Sequence, residues 1–181
     1  RPRRQQRVVL VTRIQRVCCM ILYYLLAAVL IAIDQLVKWG IVQNFALYDE
    51  LEVIPNIFSL YYIQNRGAAW GILQGRMGLF FIITVLVVGY LVYTFHNLPQ
   101  RSILAGISFS FILAGALGNF IDRMRLGYVV DMLRFDFIDF PIFNVADVFL
   151  TIGVGTMIVY LLFFEKSYYT TFKCMYEERG C

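Results

Sequence analysis

Four long apolar runs constrain this chain more than any other feature. They cover residues 17–33, 77–95, 102–121 and 148–164, contain no charged residue, and are each near the roughly 20 residues that a helix needs to cross a bilayer. The whole chain is 60% hydrophobic and 15% charged, whereas soluble domains are about 45–50% apolar and about 25% charged. We therefore predict a membrane protein, mainly α-helical, with four transmembrane helices, and we exclude the soluble, disordered and fibrous classes.

The first apolar run is predicted to stay in the protein as a helix rather than to be removed as a signal peptide. It is longer than the roughly 7–15 residues of a signal-peptide core. It is followed by Asp34, Gln35 and Lys38, where a signal peptide has a small-residue cleavage site.

Basic residues divide unevenly between the two sides of the predicted bundle. Ten of the 16 lie in residues 1–16, 96–101 and 165–181, and six lie in the two long connections, 34–76 and 122–147. Those connections also hold nine of the 12 acidic residues. By the positive-inside rule, both termini face the cytoplasm, and the connections face outward together with the functional site.

We expect three parts along the chain: a basic cytoplasmic arm over residues 1–16, a membrane domain over residues 17–164 and a cytoplasmic tail over residues 165–181. Six arginines fall in the arm. Such a run suits either a nucleic-acid arm or a cytoplasmic anchor that orients the first span. We prefer the anchor, so no nucleic-acid partner is expected.

The first outer connection predicts a small sheet. Residues 51–63 are rich in Val, Ile, Phe and Tyr and are interrupted by Pro55 and Asn56, a pattern typical of two short strands joined by a turn. The apolar residues fall on both faces of these strands. This favours a sheet that lies on the membrane surface over one that stands in water.

Small residues repeat at steps of four in two of the spans. The third span carries Gly106, Ser110, Ala114 and Gly118, a ridge that allows another helix to approach closely. The fourth span carries a similar series that starts at Asp147 and continues through residues 151 and 155. We expect the third and fourth spans to pack together along these faces.

Asp34 and Lys38 lie one helical turn apart with the acid first, which is a spacing that favours an ion pair. A carboxylate at the edge of the hydrocarbon is unfavourable unless it is paired, hydrated or protonated, so both residues are functional candidates. We prefer a structural or headgroup-positioning role over direct chemistry. Exchange of the two charges is then expected to restore part of what either single change loses.

Other polar residues near the outer face leave alternatives open. Asp122 and Arg123 are neighbours at a span end and suit either interfacial anchoring or a site role. Asp136 and Asp139 are expected to be solvated loop residues. Asn65 is either a turn residue or part of a site.

The chemistry can be narrowed by elimination. The single histidine, His96, lies on the predicted cytoplasmic side, so His-based metal sites, Ser-His-Asp triads and Cys-His dyads lack a base at the outer face. Lys38 is the only outer lysine and Ser59 the only outer-loop serine, which disfavours a serine–lysine pair. The four cysteines lack the spacing of a metal site or a disulfide framework. Carboxylate chemistry remains, because two close aspartates can share a proton and supply one acid and one base. Residue chemistry alone leaves Asp122 among the candidates.

Five short motifs follow one another along the outer connections and the adjoining spans. They are Asp34-Gln35-Leu36-Val37-Lys38, Asn65-Arg66-Gly67-Ala68-Ala69-Trp70, Gly115-Ala116-Leu117-Gly118-Asn119-Phe120-Ile121-Asp122-Arg123, Val129-Val130-Asp131 and Phe143-Asn144-Val145-Ala146-Asp147. In order and spacing, over about residues 17–164, they resemble the bacterial lipoprotein signal peptidase (signal peptidase II) family. No single motif is decisive, but five in order across four spans are highly specific.

The resemblance implies an aspartyl endopeptidase of the bacterial inner membrane. Such a hydrolase removes signal peptides from prolipoproteins just before a diacylglyceryl-modified cysteine. The family's catalytic pair corresponds to Asp131 and Asp147. Positions that we expect to support the site or to bind substrate are Asp34, Lys38, Asn65, Gly67, Asn119, Asp122, Arg123 and Asn144. The implied fold is four transmembrane helices with a small outer-face β-cradle.

The implied reaction is water-mediated peptide hydrolysis without a metal, a cofactor or a covalent intermediate. Expected partners are lipidated prolipoproteins and membrane phospholipid, and the chain is expected to act as a monomer. Trp70 and the apolar first connection are expected to form an apolar entrance to the site, so substrates should need their lipid for binding.

Two departures from the family pattern, Ala114 and Met132, are expected to affect packing rather than chemistry. The alternative function is a small four-span ion- or proton-coupled transporter, in which Asp131, Asp147 and Arg123 would bind the ion. An outer-edge site suits chemistry on a substrate in the outer leaflet better than it suits transport at the bilayer midplane.

Overall fold

The structure, a computed structural model, describes residues 2–67, 77–97 and 102–164. Four helices and one three-stranded sheet make up these residues. The helices are α1 (Pro2–Asn44), α2 (Met77–Asn97), α3 (Ile103–Leu126) and α4 (Val145–Phe163), and the strands are β1 (Glu50–Ile54), β2 (Phe58–Asn65) and β3 (Val129–Phe135).

The prediction of four transmembrane helices is confirmed, because all four helices are long and apolar enough to cross a membrane. Helix α3 lies at the centre and packs against the other three. Half of its apolar segment is buried, against 6–17% for the other helices. Its ends are fixed locally: the Ser102 hydroxyl accepts from the backbone N–H of Ala105, and Gly127 adopts the left-handed conformation that ends the helix.

Helix α1 is a single helix of 43 residues, about 65 Å long. Its membrane-crossing segment is Val17–Asn44, so the helix continues well past Ile33, where the apolar run ends. The charged residues beyond that point do not interrupt it, because Asp34 and Lys38 find partners inside the bundle. The division of the chain into arm, membrane domain and tail stays a prediction.

Helices α3 and α4 pack together as expected, but not along the predicted face of α4. Thr151 and Gly155 are exposed. The close approach occurs at Gly153 instead, where an added Cβ would lie 2.7 Å from the backbone nitrogen of Ile112. The predicted four-residue series therefore does not mark the packed face of α4.

The small-residue ridge of α3 mainly faces α1. An added Cβ at Gly106 would overlap the ring of Tyr23, and the Ser110 hydroxyl donates to the carbonyl oxygen of Tyr23 over 2.8 Å. An added Cβ at Gly118 would lie 2.6 Å from Asp34 Oδ2. Small residues thus predict that a helix comes close, but they do not say which helix it is.

The predicted two strands and their turn are present as β1 and β2, which pair antiparallel. Asn56 in the turn has a φ of 57°, and its N–H donates to Glu52. The sequence did not predict β3, which pairs antiparallel with β2 and makes the sheet order β1-β2-β3. Beneath the sheet, Ile41 packs against Tyr62 and Met132.

Strand β3 makes a different kind of contact along each of its edges. Towards β2, Leu60 pairs with Leu133 and Ile63 pairs with Asp131, so two residues of β2 face one residue of β3 in a β-bulge. On the other edge, the Leu133 N–H donates to the Phe143 carbonyl over 2.8 Å, and the Phe143 N–H donates back over 3.0 Å. Strand β3 is thereby joined to the residues that enter α4.

Candidate active site

A cavity of about 280 Å³ lies where the sheet meets the ends of α3 and α4. One wall is apolar and consists of residues 140–143. Six polar residues from β2, α3, β3 and the start of α4 line the rest: Asn65, Asn119, Arg123, Asp131, Asn144 and Asp147. All six were predicted as site residues, and the fold brings them to one place.

Asp131 lies on β3 and is only 2% exposed. Its carboxylate accepts hydrogen bonds from Asn144 Nδ2 over 2.6 Å and from Asn65 Nδ2 over 2.8 Å. Burial raises the pKa of this carboxyl to about 6, although the two amide donors oppose the shift. Asp147 raises the pKa further and Lys38 lowers it. Part of the Asp131 population therefore carries a proton near neutral pH.

Asp147 lies in the first turn of α4 and is half-buried. It forms a capping box with Asn144: the Asp147 N–H donates to Asn144 Oδ1, and the Asn144 N–H donates to Asp147 Oδ2, each over 3.1 Å. Asn119 Nδ2 also donates to Asp147 over 2.7 Å. An ionised carboxylate suits this place, because the N-terminus of a helix stabilises negative charge.

Asn144 links the two aspartates. Its side-chain amide donates to Asp131 Oδ1 and to Asn119 Oδ1, while its own Oδ1 and backbone N–H hold Asp147. Asn119 Oδ1 also accepts from Lys38 Nζ over 3.1 Å, which directs the Asn119 NH₂ group towards Asp147. The side-chain NH₂ group and carbonyl oxygen of both Asn119 and Asn144 therefore form hydrogen bonds.

A buried charge cluster lies behind the cavity. Lys38 Nζ is 3.0 Å from Asp34 Oδ2 and 2.9 Å from Asp122 Oδ2, and all three side chains are at most 3% exposed. The predicted pair of Asp34 and Lys38 is present, but Asp122 shares the same ammonium group. Gln35 Nε2 donates to Asp122 Oδ1 over 2.9 Å, and the Val130 N–H donates to Asp122 Oδ2 over 3.1 Å.

This cluster is connected to the helix that carries Asp147. Asp34 Oδ1 accepts from the N–H of Ala146 over 2.8 Å, so a carboxylate of α1 caps the first turn of α4. The missing side chain of Gly118 leaves the space in which Asp34 lies. Asp34 and Asp122 therefore lie behind the site, and neither lines the cavity.

Arg123 extends from α3 over the cavity. Its Nη2 donates to the Gly67 carbonyl over 3.2 Å, and its guanidinium lies 4.5 Å from the ring centroid of Phe80. Gly67 in turn donates its N–H to Asn65 Oδ1 over 2.9 Å. Among the described residues, Arg123 Nε is the one buried side-chain nitrogen or oxygen without a partner.

One prediction about the outer acids is wrong. Asp136 is not simply solvated: it accepts from the Ser59 hydroxyl over 2.5 Å and from Arg134 Nε over 2.7 Å, because β3 continues almost to it. The Ser59 bond, followed by the Arg134 bonds, lowers the pKa of Asp136. Asp139 is exposed as predicted. Trp70 and the tail over residues 165–181 lie outside the described residues.

Sequence reasoning gave no role to Gln35. The sequence feature that could have identified Gln35 is its position as a polar residue inside an apolar helix, next to Asp34. Its partner, Asp122, is 87 residues away, so only the fold reveals the contact.

The arrangement is suited to acid–base chemistry in a partly enclosed cavity. It offers two carboxylates, of which one is buried, four neutral or cationic donors, and an apolar wall. Over the described ranges, no group of three or more His, Cys, Asp or Glu side chains is placed to hold a metal ion.

Comparisons with known proteins agree on one family. A family model described as Signal peptidase (SPase) II matches residues 26–163. The lipoprotein signal peptidase of Enterococcus faecalis is 47% identical over 82% of this chain and 92% of its own length. That of Streptococcus pyogenes is 47% identical over 81% and 96%, and that of Listeria welshimeri is 45% identical over 80% and 96%.

Two solved structures, described as bacterial membrane enzymes studied by the in meso method, have the same fold. The first is 44% identical to this chain, with a TM-score of 0.74 and coverage of 77% of this chain and 87% of the solved one. The second is 43% identical, with a TM-score of 0.73 and coverage of 78% and 93%.

Proposed function

The chain belongs to the signal peptidase II family and is a multi-pass bacterial membrane peptidase that cleaves lipoprotein signal peptides, and we propose that it does so as an aspartic endopeptidase. Asp131 and Asp147 are the proposed catalytic pair. The observation that carries this proposal is that Asn144 holds both carboxylates at one cavity. The transporter alternative is not favoured.

The proposed roles of the two aspartates follow from their surroundings. Asp147, at the N-terminus of α4, is the ionised member that takes a proton from water. The water oxygen attacks the carbonyl carbon of the scissile peptide. Asp131, in its buried place with a pKa of about 6, is the protonated member and hydrogen-bonds the carbonyl oxygen as negative charge develops there.

The second half of the reaction returns the proton. As the tetrahedral intermediate collapses, the C–N bond breaks and Asp147 gives its proton to the leaving amine. Asp131 keeps or recovers its own proton as the new carboxyl group forms. No covalent bond to the enzyme is needed, and neither a metal nor a cofactor takes part in the proposed steps.

The neighbouring donors are proposed to hold the pair and the substrate. Asn65, Asn119 and Asn144 fix the carboxylates through their side-chain amides. Arg123 lines the cavity and is proposed to bring its positive charge to the bound peptide. Gly67 places its carbonyl group against Arg123 and so keeps the guanidinium over the cavity.

The substrate is proposed to be a prolipoprotein that carries a diacylglyceryl group on its cysteine. The apolar wall over residues 140–143 offers acyl chains a surface beside the catalytic pair. Each buried CH₂ contributes about 0.8 kcal/mol, so the lipid supplies binding energy and sets the depth of the scissile bond. We further propose a monomer in the inner membrane, in contact with phospholipid, with cytoplasmic termini and an outward-facing site.

The proposed function is tested by incubating the purified chain with a diacylglyceryl-modified prolipoprotein and following the gel shift. Asp131→Asn and Asp147→Asn should each lower turnover by about 10²–10⁴-fold, the range typical of general acid–base catalysis. Asp139→Asn is the matched control, because this exposed carboxylate lines no part of the cavity.

Two outcomes would contradict the proposal. Near-normal turnover by either dyad variant with intact folding removes the aspartic mechanism. Equal cleavage of lipidated and unlipidated precursor removes the proposed role of the acyl chains.

A further inference from the structure

A cluster of side chains on the sheet lies outside the cavity and has no part in the proposed reaction steps. Arg134 on β3 reaches across β2 to Glu50 on β1, where both guanidinium NH₂ groups bond the two carboxylate oxygens. Arg134 Nε donates to Asp136 over 2.7 Å. A bidentate pair of this kind fixes geometry as well as charge.

The same guanidinium covers the bulge in β2. Its central carbon lies 4.9 Å from the ring centroid of Tyr61, which is one of the two residues that face Met132 alone. Glu50 is the β1 residue paired with Tyr61. Arg134 therefore connects β1 and β3 directly at the irregular part of the sheet, where the register of β2 against β3 shifts.

The bulge determines which residues of β2 reach the catalytic pair. Immediately beyond it, Ile63 pairs with Asp131, and two residues later Asn65 donates to the Asp131 carboxylate over 2.8 Å. A slip by one residue would turn each β2 side chain to the opposite face of the sheet. Asn65 would then lose Asp131.

We infer that Arg134 is a positioning residue for the catalytic pair: its contacts with Glu50 and Tyr61 hold the bulge, and the bulge holds Asn65 and Asp131 in hydrogen-bonding register. This inference rests on the proposed function, since it gives Asp131 a catalytic role. It adds a residue that does not line the cavity.

The test compares Arg134→Gln and Glu50→Gln with the control Glu52→Gln. Glu52 lies on the same exposed strand, but its carboxylate accepts from the turn N–H of Asn56 and does not contact Arg134. We expect kcat to fall about tenfold in the first two variants with KM nearly unchanged, because small misplacements of a catalytic group reduce the rate strongly. The double variant should be no worse than either single one, and Arg134→Lys should be intermediate.

A pH profile separates positioning from general damage. The Asn65 bond favours the ionised form of Asp131, which is the protonated member in the proposed reaction, so its loss should move the alkaline limb of kcat to higher pH. The other charged groups that face Asp131 are Asp147 on α4, Lys38 on α1 and Arg123 on α3, and the substitutions leave them in place. Glu52→Gln should leave the limb where it is.

Hydrogen exchange followed by mass spectrometry tests the clamp without using activity. Amides in residues 58–65 should exchange faster in Arg134→Gln than in the parent chain, whereas those of α3 should not change. Unchanged exchange overturns the inference, as does a kcat and an alkaline limb equal to those of Glu52→Gln. If the parent chain fails to cleave, the proposed function is refuted and the exchange data still decide whether Arg134 holds the bulge.

Discussion

Replacement of Lys38 by Met tests the buried charge cluster behind the cavity. The change removes the one ammonium group that lies within 3.0 Å of both Asp34 and Asp122, whose side chains are 0% and 3% exposed. Breaking a buried ion pair by removing one partner costs about 3–5 kcal/mol, because the remaining charge stays buried without compensation. For a chain of this size each kcal/mol corresponds to about 2–4 °C, so the unfolding temperature should fall by roughly 10 °C.

The assay is thermal unfolding of the purified protein in detergent, together with cleavage of lipidated precursor at a temperature where the variant is folded. Arg125→Met is the matched control, since it removes a positive charge from an exposed position at the end of α3. Activity per folded molecule should also fall in Lys38→Met, because Asn119 loses the donor that directs its NH₂ group towards Asp147. An unfolding temperature equal to that of the control would refute the argument.

Two double variants sharpen the result. Lys38→Met combined with Asp122→Asn should recover part of the lost stability, because one of the two unpaired carboxylates becomes neutral. Exchange of Asp34 and Lys38 should recover nothing, contrary to the expectation from sequence. A lysine at position 34 cannot accept the N–H of Ala146.

Three further outcomes are expected from the site and the sheet. The pKa of Asp131 is raised to about 6 in the folded chain, so the native state binds more protons than the unfolded state between about pH 4 and 6. The free energy of unfolding should therefore fall by up to about 3 kcal/mol as pH rises through this window. Thermal unfolding of Asp131→Asn should depend less on pH over the same range. Asp136→Asn should lower the unfolding temperature, because it weakens the contacts of Asp136 with Ser59 on β2 and Arg134 on β3. Asp139→Asn should leave the unfolding temperature unchanged, and equal unfolding temperatures for the two variants would contradict this reasoning. Gly118→Val should destabilise the fold, because the added side chain would displace Asp34. Circular dichroism during heating measures this loss of stability. A variant as stable as the parent would show that α1 can move aside.

The sequence by itself determined the framework of this protein. A run of about 20 apolar residues without charge is long enough to cross a bilayer as a helix, so the four spans can be recognised without any knowledge of packing. Pro55 and Asn56 between β-branched and aromatic residues likewise predict the turn between β1 and β2, because turn geometry is a local property. The order of the five motifs sufficed for the family and for the candidate residues.

Tertiary structure alone decided how those residues meet. Strand β3 lacks a pattern of its own, since its residues Val129–Phe135 become a strand by pairing with β2 and Phe143. Gln35 and Asp122 are 87 residues apart in sequence, and the sharing of Lys38 by two carboxylates depends on how α1 lies against α3. Sequence spacing describes neighbours within one element, whereas these contacts join different elements. Their strength comes from burial, which exists only once the elements have packed.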